Sequence, residues 1–289
     1  MNHSVLFIGL GVMGYHMAGH LSKHVTTYVY NRTPSKARQW LNTYKGMALK
    51  DLSSIPGEVD IVITCIGNDQ DLREIYLSEN GLINRCQAGT YLIDHTTASA
   101  SIAKEIAITA STKQLKFIDA PVSGGEQGAI NGTLTTMCGG EPDIFEAAKV
   151  AMKHYSKAVT LMGENGAGQL TKMANQIAVA GVVQGLAEAI HFAEQAGLDC
   201  QQVIDVISKG AAQSWQMENR SETMIKGEYN HGFAVNLMRK DLDICLSEGR
   251  KIRAKLPTTA LIDQFYSDVQ SMGGNRWDTS SLLERLRHK

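Results

Sequence analysis

The sequence predicts an α/β protein in two parts, a doubly wound parallel β-sheet over residues 1–163 and an all-helical domain over residues 164–289. Strand and helix patterns alternate throughout the first part, which is typical of a parallel sheet with helices on both faces. The strand patterns stop at the glycine-rich segment 163–168, and only helical periodicity follows. A length of 289 residues also fits about two domains.

The elements of the first part are predicted from short apolar runs, bounded by turns, that alternate with longer helical segments. The predicted strands are 4–8, 26–30, 59–64, 90–94, 115–119, 134–139 and 157–161, and the predicted helices are 12–23, 34–44, 69–77, 99–112 and 143–153. Ligands of such sheets bind beyond the carboxyl ends of the strands. One cleft should therefore be lined by the loops that follow Ile8, Tyr30, Thr64, Asp94 and Asp119.

The second part opens with a helical segment, residues 169–196, that contains no proline and is apolar on much of its circumference. It is longer than a usual helix, and a helix that is apolar on most sides needs neighbours on most sides. We therefore expect an all-helical C-terminal domain built around this long interdomain helix. We also expect a homodimer or homotetramer, in which a second subunit shares the helix. Further helices are predicted at 199–210, 215–226, 235–254 and 258–272.

The first strand runs directly into a G-x-G-x-x-G motif, Gly9-Leu10-Gly11-Val12-Met13-Gly14, and a helical pattern follows it. This order of strand, glycine turn and helix is typical of a Rossmann-type dinucleotide-binding unit. Gly9 makes the turn, Gly11 lets the backbone touch a pyrophosphate, and Gly14 allows the helix and strand to pack closely. The pyrophosphate then lies against free N–H groups at the helix N-terminus. The alternative is a glycine-rich turn that binds no ligand.

The residues after the second strand select the dinucleotide. NAD-binding units place Asp or Glu about 20 residues beyond the glycines to bind the ribose 2′-hydroxyl, whereas this chain has Asn31-Arg32-Thr33. Asn31 does not repel a 2′-phosphate, Arg32 can pair with it, and Thr33 can donate a hydroxyl. We therefore predict NADP(H) as the preferred cofactor and NAD(H) as the less favoured one. The alternative is that Asn31 and Thr33 only cap the helix that begins at Pro34.

The composition argues against several classes of partner. A net charge of -1 and a pI near 6.8 give no electrostatic reason to expect binding to nucleic acid or to a membrane surface. The apolar stretches are expected to be too short to span a bilayer. The five cysteines are scattered and form no C-x-x-C pair, so we expect reduced thiols in a cytoplasmic protein. The series His16, His20, His24 is interpreted as a solvated helix face, and no metal is expected.

A hydroxyl and several N–H groups meet after the fifth predicted strand, in the segment Asp119-Ala120-Pro121-Val122-Ser123-Gly124-Gly125. Convergent donors of this kind suit a substrate carboxylate. An ordinary tight turn has the same composition, and the segment alone does not decide between the two.

Polar side chains on the long helix form a second group. Lys172, Asn175 and Gln176 share one helix face, because they are three and four positions apart. A lysine that is partly removed from water has a lowered pKa and can act as an acid or base. The alternative is an ordinary surface charge. The charged triplet Arg239-Lys240-Asp241, on a later helix, either reaches back to the cofactor or forms a solvated strip, and the sequence alone favours the strip.

Together these segments resemble the β-hydroxyacid dehydrogenase family, whose members include 3-hydroxyisobutyrate dehydrogenase, tartronate semialdehyde reductase and glyoxylate/succinic semialdehyde reductase. The resemblance covers essentially the whole chain and rests on residues 9–14, 119–125, 163–175 and 240–242. It implies that Lys172 is the catalytic acid/base and that Asn175 orients the substrate. The substrate carboxylate is then held by Ser123, Gly124 and Gly125.

The resemblance also implies roles for residues outside these motifs. Thr97 matches a threonine beside the nicotinamide and the substrate, Lys240 matches a lysine that contacts the cofactor, and Phe233 and Asp241 match neighbours of the substrate. The cofactor residues that the resemblance places after the third major strand are Ile66, Gly67 and Asp71.

The chain departs from the family pattern at two positions. Many relatives have Leu-Pro where this chain has Ile66-Gly67, which predicts a looser loop. Some relatives have two asparagines where this chain has Asn175 and Gln176, so either residue remains a candidate for orienting the substrate.

The function implied is a reversible hydride transfer between NADP(H) and a small 3-hydroxy acid or its semialdehyde, as in 3-hydroxyisobutyrate dehydrogenase. The alternatives are a glyoxylate, succinic semialdehyde or tartronate semialdehyde reductase, and a catalytically silent dinucleotide-binding module. A small carboxylate is the only partner expected apart from the cofactor and further copies of the chain.

Overall fold

The structure is a computed structural model that describes residues 4–53 and 55–288. It divides into two compact units, Met1–Lys172 and Met173–Lys289. The first unit holds a mostly parallel, Rossmann-like sheet and the second is helical, so the predicted fold class is confirmed. The last strand ends at Gly163, whereas the division between the units falls a few residues later, inside the long helix.

The sheet of the first unit has the strand order β3-β2-β1-β4-β5-β6-β8-β7, with β9 paired to β8. Neighbouring strands from β3 to β6 are parallel, and so are β8 and β9. The strands are β1 (Ser4–Ile8), β2 (Thr26–Tyr30), β3 (Met47–Ala48), β4 (Val59–Thr64), β5 (Tyr91–Asp94), β6 (Lys116–Asp119), β7 (Val122–Ser123), β8 (Leu134–Gly139) and β9 (Ser156–Gly163).

One edge of the sheet differs from the parallel arrangement that the sequence predicts. Strand β8 runs antiparallel to both β6 and β7. The link between β7 and β8 is the short segment 124–133. A parallel connection needs a crossover of about a dozen residues or more, so this link reverses the chain instead.

The helices of the first unit lie near their predicted positions, except for two short ones that the sequence did not reveal, α4 and α6. The helices are α1 (Val12–Leu21), α2 (Pro34–Leu41), α3 (Asp69–Leu72), α4 (Leu82–Arg85), α5 (Ala100–Ser111), α6 (Gly125–Asn131) and α7 (Pro142–Met152). Helix α3 continues into a π-helical turn, Arg73–Leu77.

The central strands are buried on both faces, which explains their continuous apolar sequences. In β1, Val5 and Phe7 belong to one core cluster, whereas Leu6 and Ile8 belong to a second cluster on the opposite face of the sheet. Alternate residues of a strand point to opposite faces. The sheet therefore forms a rigid platform, and its strand ends carry most of the predicted site residues.

The second unit is built on the long helix α8 (Ala167–Gln195), which begins in the first unit. Val183, Leu186 and Ile190 of α8 belong to the core cluster of this unit. The other helices are α9 (Cys200–Ile207), α10 (Trp215–Lys226), α11 (Val235–Ile252), α12 (Pro257–Ser271) and α13 (Leu282–Arg287), and a 3-10 turn, Thr279–Ser281, precedes α13.

Helix α8 corrects one sequence expectation. By length and composition alone its 29 residues are enough to cross a membrane, whereas the sequence was expected to contain no stretch of that length. Its core-facing side chains account for much of its apolar composition, since the central helix of a helical domain is apolar for the same reason. Two apolar side chains of α8 are nevertheless exposed, Val182 at 41% and Phe192 at 72%.

Candidate active site

The glycine turn between β1 and α1 has the geometry that a dinucleotide pyrophosphate requires. A Cβ atom on Gly9 would lie 2.2 Å from the carbonyl oxygen of Cys65, and one on Gly14 would lie 2.0 Å from the carbonyl oxygen of Gly9. Gly9 also has a φ of 99°, which favours glycine. A Cβ on Gly11 would meet nothing within 4 Å. The outer glycines are thus required by the fold, and the middle one faces open space in which a phosphate fits.

The side chain of Asn31 links this turn to the end of β2. Its Oδ1 accepts a hydrogen bond from the Leu10 N–H at 2.9 Å, and its Nδ2 donates to the Thr33 carbonyl at 3.1 Å. Thr33 is the N-cap residue of α2, but no side chain makes a capping hydrogen bond there. The alternative that Asn31 and Thr33 serve only as helix caps therefore does not describe their side chains. Of the other motif residues, Val12 is exposed and Met13 packs on the core.

Arg32 extends into solvent beside this turn. Its side chain is 84% exposed, and its Nη1 lies 3.2 Å from Oδ1 of Asp71. An exposed ion pair of this kind contributes about 0–1 kcal/mol, so a phosphate dianion is able to replace the carboxylate. Lys36 is also exposed. The structure thus brings together Arg32 and Asp71, two of the predicted cofactor residues.

The loop after β4 is held more firmly than its sequence suggests. The Ile66 N–H donates to Oγ1 of Thr96 at 3.0 Å, and the Asn68 side chain caps α3 by accepting from the Asp71 N–H at 3.0 Å. A Cβ on Gly67 would lie 2.2 Å from Oδ2 of Asp71. The loop after β4 is therefore tied to the loop after β5, which carries Thr97.

Buried polar groups at the ends of β4 and β5 were not identified from the sequence. Oγ1 of Thr64 donates to Oδ1 of Asp94 at 2.7 Å, and the Thr96 N–H donates to the same oxygen at 3.1 Å. Burial raises the pKa of Asp94 to about 7, although these donors oppose the change. The neighbouring His95 lies 2.5 Å from the Ala120 carbonyl and 2.8 Å from the Tyr155 hydroxyl, and burial lowers its pKa to about 4.

The carboxylate of Asp119, at the end of β6, binds the beginning of α8. It accepts hydrogen bonds from the N–H groups of Gly166 at 2.7 Å and Gln169 at 3.1 Å. Burial raises the pKa of Asp119 to about 6, and the two N–H donors oppose this. Lys172 follows Gln169 by three residues on α8 and is only 8% exposed. Lys172 is therefore not the solvated surface lysine of the alternative interpretation.

The segment Ser123-Gly124-Gly125 joins β7 to α6. Gly124 has a φ of 130° and Gly125 a φ of 61°, both in the region that favours glycine. A Cβ on Gly125 would meet nothing within 4 Å. The segment therefore has both the backbone conformation of a glycine loop and free space beside it, as a small carboxylate needs.

In the second unit, four predicted residues form a chain of polar contacts. Nδ2 of Asn175 donates to Oε1 of Gln176 at 2.8 Å, and Nε2 of Gln176 donates to Oδ2 of Asp241 at 2.7 Å. Nζ of Lys240 lies 3.1 Å from Oδ1 of Asp241. Asp241 is 3% exposed, so the interpretation of 239–241 as a solvated strip is wrong. Asp241 thus has a hydrogen bond at Oδ2 and an ion pair at Oδ1, and partners of this kind reduce the cost of burying its charge.

Phe233 stands slightly apart from this chain, in the segment before α11. Its N–H donates to Oδ2 of Asp278 at 2.8 Å, and Asp278 is fully buried.

The described residues, 4–53 and 55–288, contain no group of three His, Cys, Asp or Glu side chains that is able to hold a metal ion. Nε2 of His20 lies near the backbone carbonyls of Ala129 and Ile130 instead.

A glycine turn with room for pyrophosphate, a Rossmann-like sheet and a buried lysine define a class, the dinucleotide-dependent oxidoreductases. Comparison with known proteins identifies the family. Residues 4–163 match the family model described as the NAD-binding domain of 6-phosphogluconate dehydrogenase, and residues 166–286 match the one described as NAD-binding of NADP-dependent 3-hydroxyisobutyrate dehydrogenase. The chain belongs to the β-hydroxyacid dehydrogenase family, NAD(P)-dependent enzymes that act on hydroxyl groups.

Relatives of known sequence or structure cover nearly the whole chain. An uncharacterized oxidoreductase of Shewanella frigidimarina is 57% identical over 98% of this chain and 97% of its own length. The 2-hydroxy-3-oxopropionate reductase of Escherichia coli is 33% identical over 97% of this chain and 96% of its own. A structure of Mycobacterium tuberculosis 3-hydroxyisobutyrate dehydrogenase with L-serine superposes with a TM-score of 0.88 at 26% identity, with 100% of both chains covered.

Proposed function

We propose that this enzyme transfers a hydride reversibly between NADP(H) and a small 3-hydroxy acid or the corresponding semialdehyde, with Lys172 as acid and base. The burial of Lys172 carries the proposal, because a lysine that is 8% exposed near the start of α8 has no role as a surface charge. Burying an ammonium group is costly, and such groups are found where they meet a specific partner.

The preference for NADP(H) is supported by the end of β2. Asn31 uses its Oδ1 to bind the Leu10 N–H, so it holds the turn without adding a negative charge beside the ribose. Arg32 is exposed, and its guanidinium makes a surface ion pair with Asp71. A guanidinium binds a phosphate dianion through charge-assisted hydrogen bonds. These residues would hold the adenosine 2′-phosphate, and the open space at Gly11 would receive the pyrophosphate.

The substrate carboxylate would be held by the Ser123 hydroxyl and by the N–H groups of Gly124 and Gly125, since both glycines bend the backbone and Gly125 has open space beside it. Fixing the carboxylate fixes the position of the hydroxyl-bearing carbon, which is positional catalysis. Asn175 is a better candidate than Gln176 for orienting the substrate, because Gln176 is 4% exposed whereas Asn175 is half-buried.

The nicotinamide supplies or accepts the hydride when the cofactor is bound. In the direction of reduction, the Lys172 ammonium donates a proton to the carbonyl oxygen as that oxygen gains negative charge. In the direction of oxidation, the neutral Lys172 amine accepts the hydroxyl proton. Arginine stays protonated at all ordinary pH values, so it cannot replace Lys172 in either direction of the reaction.

Reduction of tartronate semialdehyde is the second candidate function. The observation that favours it is the E. coli relative named 2-hydroxy-3-oxopropionate reductase, which is 33% identical over almost the full length of both chains. Both candidate substrates have a carboxylate two carbons from the reacting carbon. The same carboxylate loop and the same lysine would therefore serve either one.

The test is a cofactor-turnover assay over a panel of short substrates, with NADP or NAD for the hydroxy acid and NADPH or NADH for the aldehydes. The panel contains 3-hydroxyisobutyrate, tartronate semialdehyde, succinic semialdehyde and glyoxylate. We expect turnover with NADPH and tartronate semialdehyde, or with NADP and 3-hydroxyisobutyrate. We also expect the Lys172→Ala variant to bind NADPH without turnover. A panel in which only glyoxylate or succinic semialdehyde reacts, or in which NADH is strongly preferred, would contradict the proposal.

A further inference from the structure

The side-chain amide of Gln169 holds the backbone on both sides of Thr97. Its Oε1 accepts a hydrogen bond from the Ala98 N–H at 3.0 Å, and its Nε2 donates to the Thr96 carbonyl at 2.7 Å. Gln169 is completely buried. A primary amide is suited to this position because it presents one acceptor and one donor at the end of a flexible chain.

The backbone of Gln169 is held just as firmly from another direction. Its N–H donates to Oδ2 of Asp119, and the Gly166 N–H donates to Oδ1 of the same carboxylate. Two glycines leave room for this carboxylate, because a Cβ on Gly139 would lie 2.7 Å from it and one on Gly168 would lie 2.8 Å from it. The N–H groups at the beginning of α8 therefore find their acceptor on the end of β6.

Gln169 thus joins three parts of the first unit, the end of β6, the loop after β5 and the first turn of α8. Lys172 follows Gln169 by three residues, which is less than one turn of the same rigid helix. Thr97 lies between the two residues whose backbone Gln169 binds.

We infer that Gln169 is a positioning residue that fixes Thr97 relative to Lys172, so that both meet one bound substrate in a productive arrangement. The inference rests on the proposed roles of Lys172 and Thr97. Gln169 acts through these residues and exchanges no proton itself. A displacement of about 1 Å between reacting groups lowers a rate on the order of 100-fold, so the loss of this link should reduce kcat strongly.

Two variants test the inference. Gln169→Met keeps the length of the side chain and removes both hydrogen bonds, whereas Gln169→Glu keeps the acceptor and removes the donor at neutral pH. Gln184→Met is the matched control, because Gln184 is also a buried glutamine on α8, 7% exposed, and its Nε2 donates to the side chain of Glu188 on the same helix. Lys172→Ala is measured beside them.

The readout is kcat per cofactor-binding site, with the panel substrate that the wild type uses best. The number of sites is measured by titration with NADPH, so a misfolded fraction does not lower the value. We expect a fall in kcat of about 10- to 100-fold for both Gln169 variants, with an NADPH dissociation constant within about threefold of wild type. The Gln184 control should stay within about twofold.

Three results would overturn the inference. The first is a kcat per site within about twofold of wild type in both Gln169 variants, while Lys172→Ala is inactive. The second is a loss of NADPH-binding sites with unchanged kcat at the remaining ones, because that pattern shows a purely structural role. The third is an equal fall in the Gln184 control. Turnover by Lys172→Ala would instead reject the proposed function itself, so the two failures are distinguishable.

Discussion

Replacing Asp94 by Asn should change how the stability of the enzyme depends on pH. The Asp94 carboxyl is 1% exposed and accepts hydrogen bonds from Thr64 and from the Thr96 backbone. An asparagine keeps the oxygen acceptor and has the same shape, but it never becomes negatively charged. The variant therefore removes the cost of burying a charge and keeps most of the local hydrogen bonds.

The direction of the effect follows from the pKa of Asp94, which burial raises from 3.8 to about 7. The protonated carboxyl stabilises the fold, fully so below the unfolded pKa, and this contribution is lost as pH rises through the folded pKa. The difference between 3.8 and about 7 corresponds to roughly 4 kcal/mol at most, since a tenfold change in proton affinity equals about 1.4 kcal/mol. The stability advantage of Asp94→Asn should thus grow by roughly 2–3 kcal/mol between about pH 5 and about pH 8.

Urea unfolding of both proteins across this pH range is the assay. Two neighbours also titrate, and both are present in wild type and variant. Asp119, with a pKa raised to about 6, acts in the same direction as Asp94. His95, with a pKa lowered to about 4, acts oppositely, because its contribution is present above its unfolded pKa and is lost on acidification. The difference between the proteins isolates Asp94, and a difference that stays constant or shrinks as pH rises refutes the reasoning.

Three further predictions concern the cofactor and substrate residues. Arg32→Ala should lower kcat/KM for NADPH about tenfold and change kcat/KM for NADH less than threefold, since only NADPH carries the 2′-phosphate. The control is Arg38→Ala, on the exposed face of α2. Equal losses with both cofactors would contradict the assignment. Gly14→Ala should lower the free energy of unfolding by about 1–3 kcal/mol, because its Cβ would lie 2.0 Å from the Gly9 carbonyl oxygen. Gly11→Ala should leave the thermal unfolding temperature unchanged and weaken NADPH binding about tenfold, because its methyl group occupies the phosphate space; unchanged NADPH affinity in a binding titration would show that no phosphate lies there.

Much of the fold is readable from the sequence because the central strands are buried on both faces. The bounds of β1, β2, β4 and β8 agree with their apolar runs to the residue. The two-residue strand β7 and the seven-residue helix α6 are too short to show a period. The antiparallel direction of β8 depends on a short link, and strand periodicity does not reveal direction.

The site is only half readable, for a different reason. Motifs identify Gly9, Lys172 and Ser123 by type and spacing, but they do not show which groups those residues or their neighbours touch. Gln169 bonds to backbone groups 71 and 73 positions away, and no local pattern indicates such partners. The burial of Asp241 was missed for the same reason, since its partner Gln176 lies 65 positions away. For the buried carboxyl groups of Asp94 and Asp119, one signal was present in the sequence: each aspartate stands directly at the end of an apolar strand.

The central claim is that the buried amine of Lys172 exchanges the proton of the reaction, and one comparison tests it most directly. Steady-state turnover of the best panel substrate is measured for wild type, Lys172→Ala, Lys172→Arg and the control Lys149→Ala, which replaces a half-buried lysine of α7 that is paired with Glu146. We expect both Lys172 variants to bind NADPH with near-normal affinity while kcat falls at least about 100-fold, and the control to match wild type. Turnover by Lys172→Arg within about tenfold of wild type would contradict the claim, because a permanently charged guanidinium is unable to act as the base.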